Sequence, residues 1–248
     1  HCKLSVLGGS LHFEWGNSLT VCMHDVSVSQ CIVCPRGALL ATCSGDMCQV
    51  WDAPTGECIF KFKHETTGVY AEFARSGDAL FTCDTRAWYE WDMTTGECTA
   101  RIRKVGHVYA LSPCSSLLAT GSEEGSAYLY SLAEQRHVFT LDGHSKTINC
   151  CVFSPDGRAI ATCSNDTSCR VWHANTGQCA CVLEGHSAEV THCAFSPDGS
   201  TLASCSQDMT CRLWHAKKGE CVKVMEGCSD KLAASAFSPN GAQLAVWS

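Results

Sequence analysis

The sequence has little positive charge and no long apolar run. Eighteen lysines and arginines stand against 25 aspartates and glutamates, for a formal charge of -7, and the basic residues form no cluster. Because binding to phosphates needs clustered Lys and Arg, we expect no nucleic-acid partner. No stretch has the roughly eighteen apolar residues of a membrane helix, and the start at His1 is not a signal peptide. We therefore expect a soluble piece of a longer chain, with no membrane partner.

The motifs of common catalytic sites are missing as well. The sequence has no glycine-rich phosphate loop opening a helix, no paired-histidine metalloprotease motif and no Gly-x-Ser-x-Gly elbow. The sequence of residues Gly121–Gly125 is similar to a phosphate-binding loop. These residues lie between two predicted strands, however, with no helix N-terminus to bind an anion. We expect no enzyme activity, no cofactor and no small-molecule substrate.

A repeat of 42 residues organises most of the chain. The turns Ser154–Gly157, Ser196–Gly199 and Ser238–Gly241 begin 42 residues apart, and Leu141–His144 and Leu183–His186 keep the same spacing. Each period holds four short apolar or β-branched runs separated by turn residues, which predicts four strands. In the clearest period these runs are Cys150–Phe153, Ala159–Cys163, Cys169–Trp172 and Ala180–Leu183.

A four-stranded antiparallel sheet with two apolar faces can bury both only by stacking on radially arranged neighbours. The sequence therefore predicts an all-β propeller of four-stranded antiparallel blades, as a single domain over 1–248. The expected blades cover 24–62, 63–103, 104–140, 144–183 and 186–225, and residues 228–248 and 1–22 form a composite or incomplete blade. Joining the two ends gives six blades, whereas a further strand at Cys2–Leu7 and a motif cut off at Ser248 fit seven blades equally well.

These motifs resemble the WD-repeat proteins from about Val21 onward. That family places a His before the first strand of a blade, a Ser or Thr at the end of the second, an Asp in the next turn and a Trp in the third. Three repeats keep this set: His24, Ser44, Asp46 and Trp51; His144, Ser164, Asp166 and Trp172; His186, Ser206, Asp208 and Trp214. A set that recurs three times indicates architecture and not a hydrolase triad, so we expect a buried chain from Asp through His and Ser to Trp.

Two repeats depart from the pattern. We expect the repeat of His64 and Trp91 to lack the turn Asp, since it has Asp84, Thr85 and Arg86 there, and another repeat has Tyr130 in place of the Trp. We expect neither blade to contain the full polar network.

The 21 cysteines could indicate a disulfide framework or zinc. Only Cys31–Cys34 has the Cys-x-x-Cys form, without a matching pair, so we expect no metal site. Fourteen cysteines instead share four positions of the repeat, where we predict reduced packing residues: Cys31, Cys151 and Cys193; Cys43, Cys83, Cys163 and Cys205; Cys48, Cys169 and Cys211; Cys58, Cys98, Cys179 and Cys221. Reduced thiols favour the cytoplasm, including cytoskeletal and ciliary assemblies.

The resemblance implies a non-catalytic scaffold that docks other proteins in a multi-subunit assembly. The alternative is the propeller domain of a larger enzyme or a substrate-recruiting subunit of a ubiquitin ligase. In a four-stranded meander, the loop into the first strand and the turn after the second lie at the same end, where recognition loops would collect. Partner contacts are expected there from Asn149, Asn165, Glu189, Thr191, Gln207 and Lys231.

Overall fold

The computed structural model describes residues 2–7, 10–15, 18–22, 28–103, 106–228 and 230–248, with side chains from residue 28 onward. These residues form 25 β-strands and no helix, which confirms the all-β expectation. None of them could therefore cross a membrane as a helix. The chain divides into two compact units, 1–104 and 105–248.

The first unit contains three antiparallel sheets. The three-stranded sheet consists of β1 (Cys2–Leu7), β2 (Ser10–Trp15) and β3 (Ser18–Cys22). The next sheet consists of β4 (Gln30–Val33), β5 (Leu39–Ser44), β6 (Met47–Asp52) and β7 (Cys58–Lys63). The third consists of β8 (Tyr70–Phe73), β9 (Ala79–Cys83), β10 (Ala87–Asp92) and β11 (Cys98–Arg103).

The second unit contains three four-stranded sheets and a two-stranded one. Their strands are β12 (Val108–Leu111), β13 (Leu117–Gly121), β14 (Ala127–Ser131) and β15 (Arg136–Leu141); β16 (Ile148–Phe153), β17 (Ala159–Ser164), β18 (Cys169–His173) and β19 (Cys179–Leu183); β20 (Val190–Phe195), β21 (Thr201–Ser206), β22 (Cys211–His215) and β23 (Cys221–Met225); and β24 (Ala234–Phe237) and β25 (Leu244–Trp247). Each four-stranded sheet is a meander in which sequential strands pair, as expected for a propeller blade.

Within the second unit, successive sheets approach each other through their first strands, since β12 contacts β16, β16 contacts β20 and β20 contacts β24. Their facing surfaces share apolar cores. Val171 and Leu183 of one sheet, for example, pack in one buried cluster with Val190, Leu202 and Trp214 of the next. The sheets of the second unit therefore bury apolar faces against one another, as the 42-residue repeat predicts.

The burial of a cysteine depends on which strand of the sheet carries it. The cysteines of the second and third strands are buried, as predicted, and so are Cys151 and Cys193 of the first strands. Among the fourth-strand cysteines the prediction is wrong for Cys98, Cys179 and Cys221, which are exposed, whereas Cys58 is half-buried. A bulge between the third and fourth strands places each of these four directly opposite the tryptophan of its sheet, on an edge strand that has solvent on its other side.

This difference predicts how two cysteines of one sheet contribute to stability. Cys151 is buried in an apolar cluster, so Cys151→Ala should leave a small cavity and cost about 1 kcal/mol. Cys179→Ala, at an exposed position, should change the stability by less than about 0.5 kcal/mol. Urea unfolding of both variants beside the wild type checks the ranking, and equal losses would contradict the packing role of Cys151.

Candidate functional site

The two ends of each four-stranded sheet carry different sequence motifs. The antiparallel pairing of β16 to β19 puts the loop of His144 and the turn of Asp166 at one end and the Ser154–Gly157 turn at the other. The sheet of β20 to β23 repeats this order with His186 and Asp208. The first of these ends is called the histidine end below.

A buried polar chain crosses the sheet of β16 to β19. Nδ1 of His144 lies 2.8 Å from Oδ2 of Asp166, and Nε2 lies 2.8 Å from the hydroxyl oxygen of Thr162. The indole N–H of Trp172 donates to that same hydroxyl oxygen at 2.9 Å. Because the hydroxyl accepts from Trp172, its own proton is available to Nε2, and Nδ1 carries the proton donated to Asp166.

The next sheet repeats this chain with a serine. His186 Nδ1 lies 2.9 Å from Asp208 Oδ2, and its Nε2 lies 2.7 Å from the hydroxyl of Ser204. Trp214 donates to the same hydroxyl at 2.8 Å. Asp208 also accepts the backbone N–H groups of Ser187 and Thr210, so it ties the histidine loop to the turn between the second and third strands.

The predicted serines Ser164 and Ser206 are not the link between histidine and tryptophan. Ser164 donates instead to the backbone carbonyl of Lys146, and Ser206 donates to that of Ala188. Side chains on one face of a strand recur every second residue, about 7 Å apart, so these serines lie one step beyond the hydroxyl that the histidine and the indole share. The linking residues are Thr162 and Ser204, which the fully buried middle of each second strand could have indicated.

Electrostatics favour a neutral imidazole in both chains. Burial lowers the pKa of His144 and of His186, more than their aspartates raise it. Burial by itself would raise the pKa of Asp166 and Asp208, but hydrogen bonds from neighbouring groups prevail and hold both pKa values below the usual range. Each His–Asp contact is therefore a hydrogen bond from a neutral ring to a carboxylate and not an ion pair.

In the first unit, the sheet of β4 to β7 keeps part of this arrangement. The indole of Trp51 donates to the hydroxyl of Thr42 at 2.8 Å, Ser44 is buried, and Asp46 is half-buried. His24, the histidine predicted for this set, lies outside the described residues.

The expectation that the His64 repeat lacks its aspartate is wrong in one respect. Asp84 lies at the end of the second strand of its sheet, the position that Ser164 has in the regular repeat. The turn that it begins is shorter, and its side chain is buried. Its carboxylate accepts the backbone N–H groups of Glu65, Arg86 and Ala87, which are the bonds that the turn aspartate makes elsewhere. Trp91 still donates to Thr82 at 2.7 Å.

The shortened turn leaves His64 without its hydrogen bonds. The ring is buried, packs edge-on against Tyr89 at 4.9 Å between ring centroids, and has no hydrogen-bond partner for either nitrogen among the described residues. In the repeat of Tyr130, the buried hydroxyl of Thr120 likewise lacks a partner in the described part of the chain. Both departing repeats thus have an incomplete network.

The six predicted partner-contact residues lie at the histidine end, and side-chain hydrogen bonds join five of them in two separate groups. The side-chain amide of Asn149 donates to Asn165 at 2.6 Å and to the Val190 carbonyl at 2.8 Å. Thr191 donates to Cys205 O and Leu232 O. Glu189, Gln207 and Lys231 form a line, in which Gln207 donates to Glu189 at 2.8 Å and Lys231 donates to Gln207 at 3.1 Å.

Met209, the residue after Asp208 in the same turn, is not among the predicted contact residues. Its side chain is 47% exposed and its φ is 64°, a left-handed conformation that is rare for residues other than glycine and asparagine. Thr167 has the equivalent position and a φ of 72°. Residues held in this conformation are often found at functional sites.

The contrast between the histidines predicts opposite responses to the same substitution. His186→Phe should cost about 1–3 kcal/mol, because Asp208 and Ser204 lose a buried partner. His64→Phe should be neutral or stabilising, because no hydrogen bond is lost and an unpaired polar ring leaves the interior. Thermal or urea unfolding checks both, and an equal loss in the two variants would refute the network.

The buried histidines also predict a loss of stability in mild acid. Burial lowers the folded-state pKa of His64 more than the nearby Asp84 and Asp46 raise it, so the folded state prefers the neutral ring. This contribution is complete above the unfolded pKa of about 6.5 and is lost as the pH falls below it. His64→Phe should therefore flatten the decline in Tm between about pH 6.5 and 5, whereas His173→Phe, at an exposed site, should not. If Tm falls with pH as steeply in both variants as in the wild type, the prediction is contradicted.

The repeats match a known family. The family described as WD40, "WD domain, G-beta repeat", matches residues 16–52, 96–131, 135–173 and 177–215, more than half of the chain. The last two matches run from the fourth strand of one sheet to the third strand of the next, and the repeat of His64 lies mostly in the gap at 53–95. The chain therefore belongs to the WD40 family.

Proposed function

We propose that the chain is a non-catalytic scaffold that docks a protein partner at the histidine end of its sheets, within a larger assembly. WD40 domains generally mediate interactions between proteins. The surface proposed for docking in this protein is the histidine end, where hydrogen bonds hold exposed and half-buried side chains in place.

The observation that carries the proposal is the line of Glu189, Gln207 and Lys231. The bonds between these side chains fix a carboxylate, an amide and an ammonium group in one row. Lys231 is exposed and the other two are half-buried, so their remaining donors and acceptors can reach a partner. Side chains that are already ordered lose less conformational entropy when they bind.

Asn149 and Thr191 also make hydrogen bonds within the protein. Each donates to a backbone carbonyl 41 residues further along the chain, and so each connects its own sheet to the next repeat. They support the surface, and because these bonds use their side-chain donors, the acceptor oxygens of both residues remain for a partner. Met209 adds an exposed apolar side chain beside the polar row, and flexible methionines suit contact surfaces.

These groups favour a polar peptide segment as the partner. It would contain a positively charged side chain, a negatively charged side chain and one apolar side chain that covers Met209. The proposal includes a reducing compartment such as the cytoplasm, which is supported by the buried cysteines of the second and third strands.

The test compares co-purification with two variants of the full protein in its native cells. The triple variant Glu189→Lys, Gln207→Ala and Lys231→Glu should lower the recovery of stoichiometric protein partners at least tenfold, while the fold stays intact by circular dichroism. The matched control is Lys217→Glu, which lies at the opposite end, where a cavity of 390 Å³ is lined by Asp156, His173 and Lys217.

Recovery of partners by the control but not by the triple variant supports the proposal. Loss of partners only in Lys217→Glu would move the docking site to the opposite end. Unchanged recovery in both variants, or substrate turnover by the isolated chain, would overturn the proposed function.

A further inference from the structure

Three cysteines meet between two sheets of the second unit. Cys150 lies on β16, Cys163 faces it on β17, and Cys193 lies on β20 of the next sheet. Their three Sγ atoms all lie within 4.8 Å of one another. Cys163 and Cys193 are fully buried and belong to the apolar cluster between the two sheets, and Cys150 packs against that cluster.

The cluster is particular to this pair of sheets. One period later, the same three positions hold His192, Cys205 and Ser235. In the first unit, the corresponding positions hold Gln30, Cys43 and Ala71. Among the described residues, no other group of three metal-ligating side chains comes this close together.

We propose that Cys150, Cys163 and Cys193 form a three-coordinate thiolate site for a soft monovalent cation, Cu(I). Thiolate ligands select soft metals, whereas Mg²⁺ and Ca²⁺ require oxygen donors. Structural Zn²⁺ sites are almost always tetrahedral with four protein ligands, and the group of donors described here has three. Cu(I) forms stable complexes with three thiolate sulfurs and needs no water ligand.

The geometry requires little movement. At a metal–sulfur distance of about 2.3 Å, three sulfurs around a trigonal ion lie about 4.0 Å apart. The Sγ–Sγ distances, at most 4.8 Å, therefore need to shorten by less than about 1 Å, which small rotations about the Cα–Cβ bonds of the three cysteines can supply. The binding form is the thiolate, so each cysteine that ligates Cu(I) releases its proton to solvent.

A bound ion would connect the sheet of β16 to β19 with the sheet of β20 to β23. It would stabilise the folded chain by mass action, since the unfolded chain does not hold the three sulfurs together. This role is separate from docking at the histidine end, and it does not depend on the proposed function.

The competing role for these residues is packing together with a hydrogen bond between the sheets. Sγ of Cys150 lies 3.7 Å from the Cys193 carbonyl oxygen. At the equivalent place in the first unit, Gln30 makes a stronger connection, since it donates to Ala71 O at 3.0 Å and accepts from Ala71 N at 2.8 Å. The chain thus offers a replacement that keeps a connection between the sheets and removes the metal ligands.

The experiment is an anaerobic titration of the reduced full chain with Cu(I) against excess bicinchoninate, which removes weakly bound copper. We expect one equivalent of Cu(I) to resist the chelator and X-ray absorption to show three sulfurs at about 2.3 Å. The variant Cys150→Gln with Cys193→Ala copies the first unit and should weaken Cu(I) binding at least a hundredfold. The control, Cys179→Ser with Cys221→Ser, removes two exposed thiols and should retain the tight equivalent.

Equal retention of Cu(I) by the double variant and the wild type would overturn the site, as would a coordination number of two or four on the wild type. Tight binding of Zn²⁺ in place of Cu(I) would also overturn it. If the double variant does not fold, alkylation of the wild type decides: one equivalent of Cu(I) should protect Cys150, Cys163 and Cys193 together, and protection of other cysteines instead would refute the assignment.

Discussion

The regular sheets depend on one buried hydroxyl group placed between an imidazole and an indole. Thr162 in one sheet and Ser204 in the next accept from a tryptophan and lie against a histidine nitrogen, and the other nitrogen of that histidine bonds to an aspartate. Each side-chain polar atom of these four residues has a partner, so neither set bears the desolvation penalty of an unpaired group. The aspartate also bonds backbone N–H groups, and that fixes the two loops at the histidine end relative to each other.

Loops that are fixed in this way can present side chains in a set arrangement. Asn165 and Gln207 directly precede the two aspartates, so their positions are determined by turns that the buried chain holds in place. The strained residues Thr167 and Met209 follow the same aspartates. The surface proposed for partner binding is thus built on turns whose backbone the buried aspartates hold by hydrogen bonds, and rigid support of this kind suits the display of recognition groups.

The repeats also show what happens when one member of the buried chain changes. In the sheet of His64, Asp84 keeps the bonds to the backbone but lies too near the strand to pair with the imidazole, and His64 is left unpaired. In the sheet of Tyr130, the hydroxyl of Thr120 loses the partners that Thr162 has. The connections between sheets vary in the same way, from the amide of Gln30 to the thiol of Cys150.

The sequence by itself determined the strands, the four-stranded sheets and the residues that pair as His144 with Asp166 and His186 with Asp208. These follow from a fixed 42-residue period and from the turn residues between apolar runs, which are local signals. It did not determine which hydroxyl links histidine to tryptophan, because two candidates lie two residues apart on the same face of the strand. It also did not place Cys150 and Cys163 beside Cys193, since that contact joins different sheets and depends on how their faces pack. Only the tertiary structure decides such contacts, because the distance between residues of neighbouring sheets does not depend on any local sequence pattern.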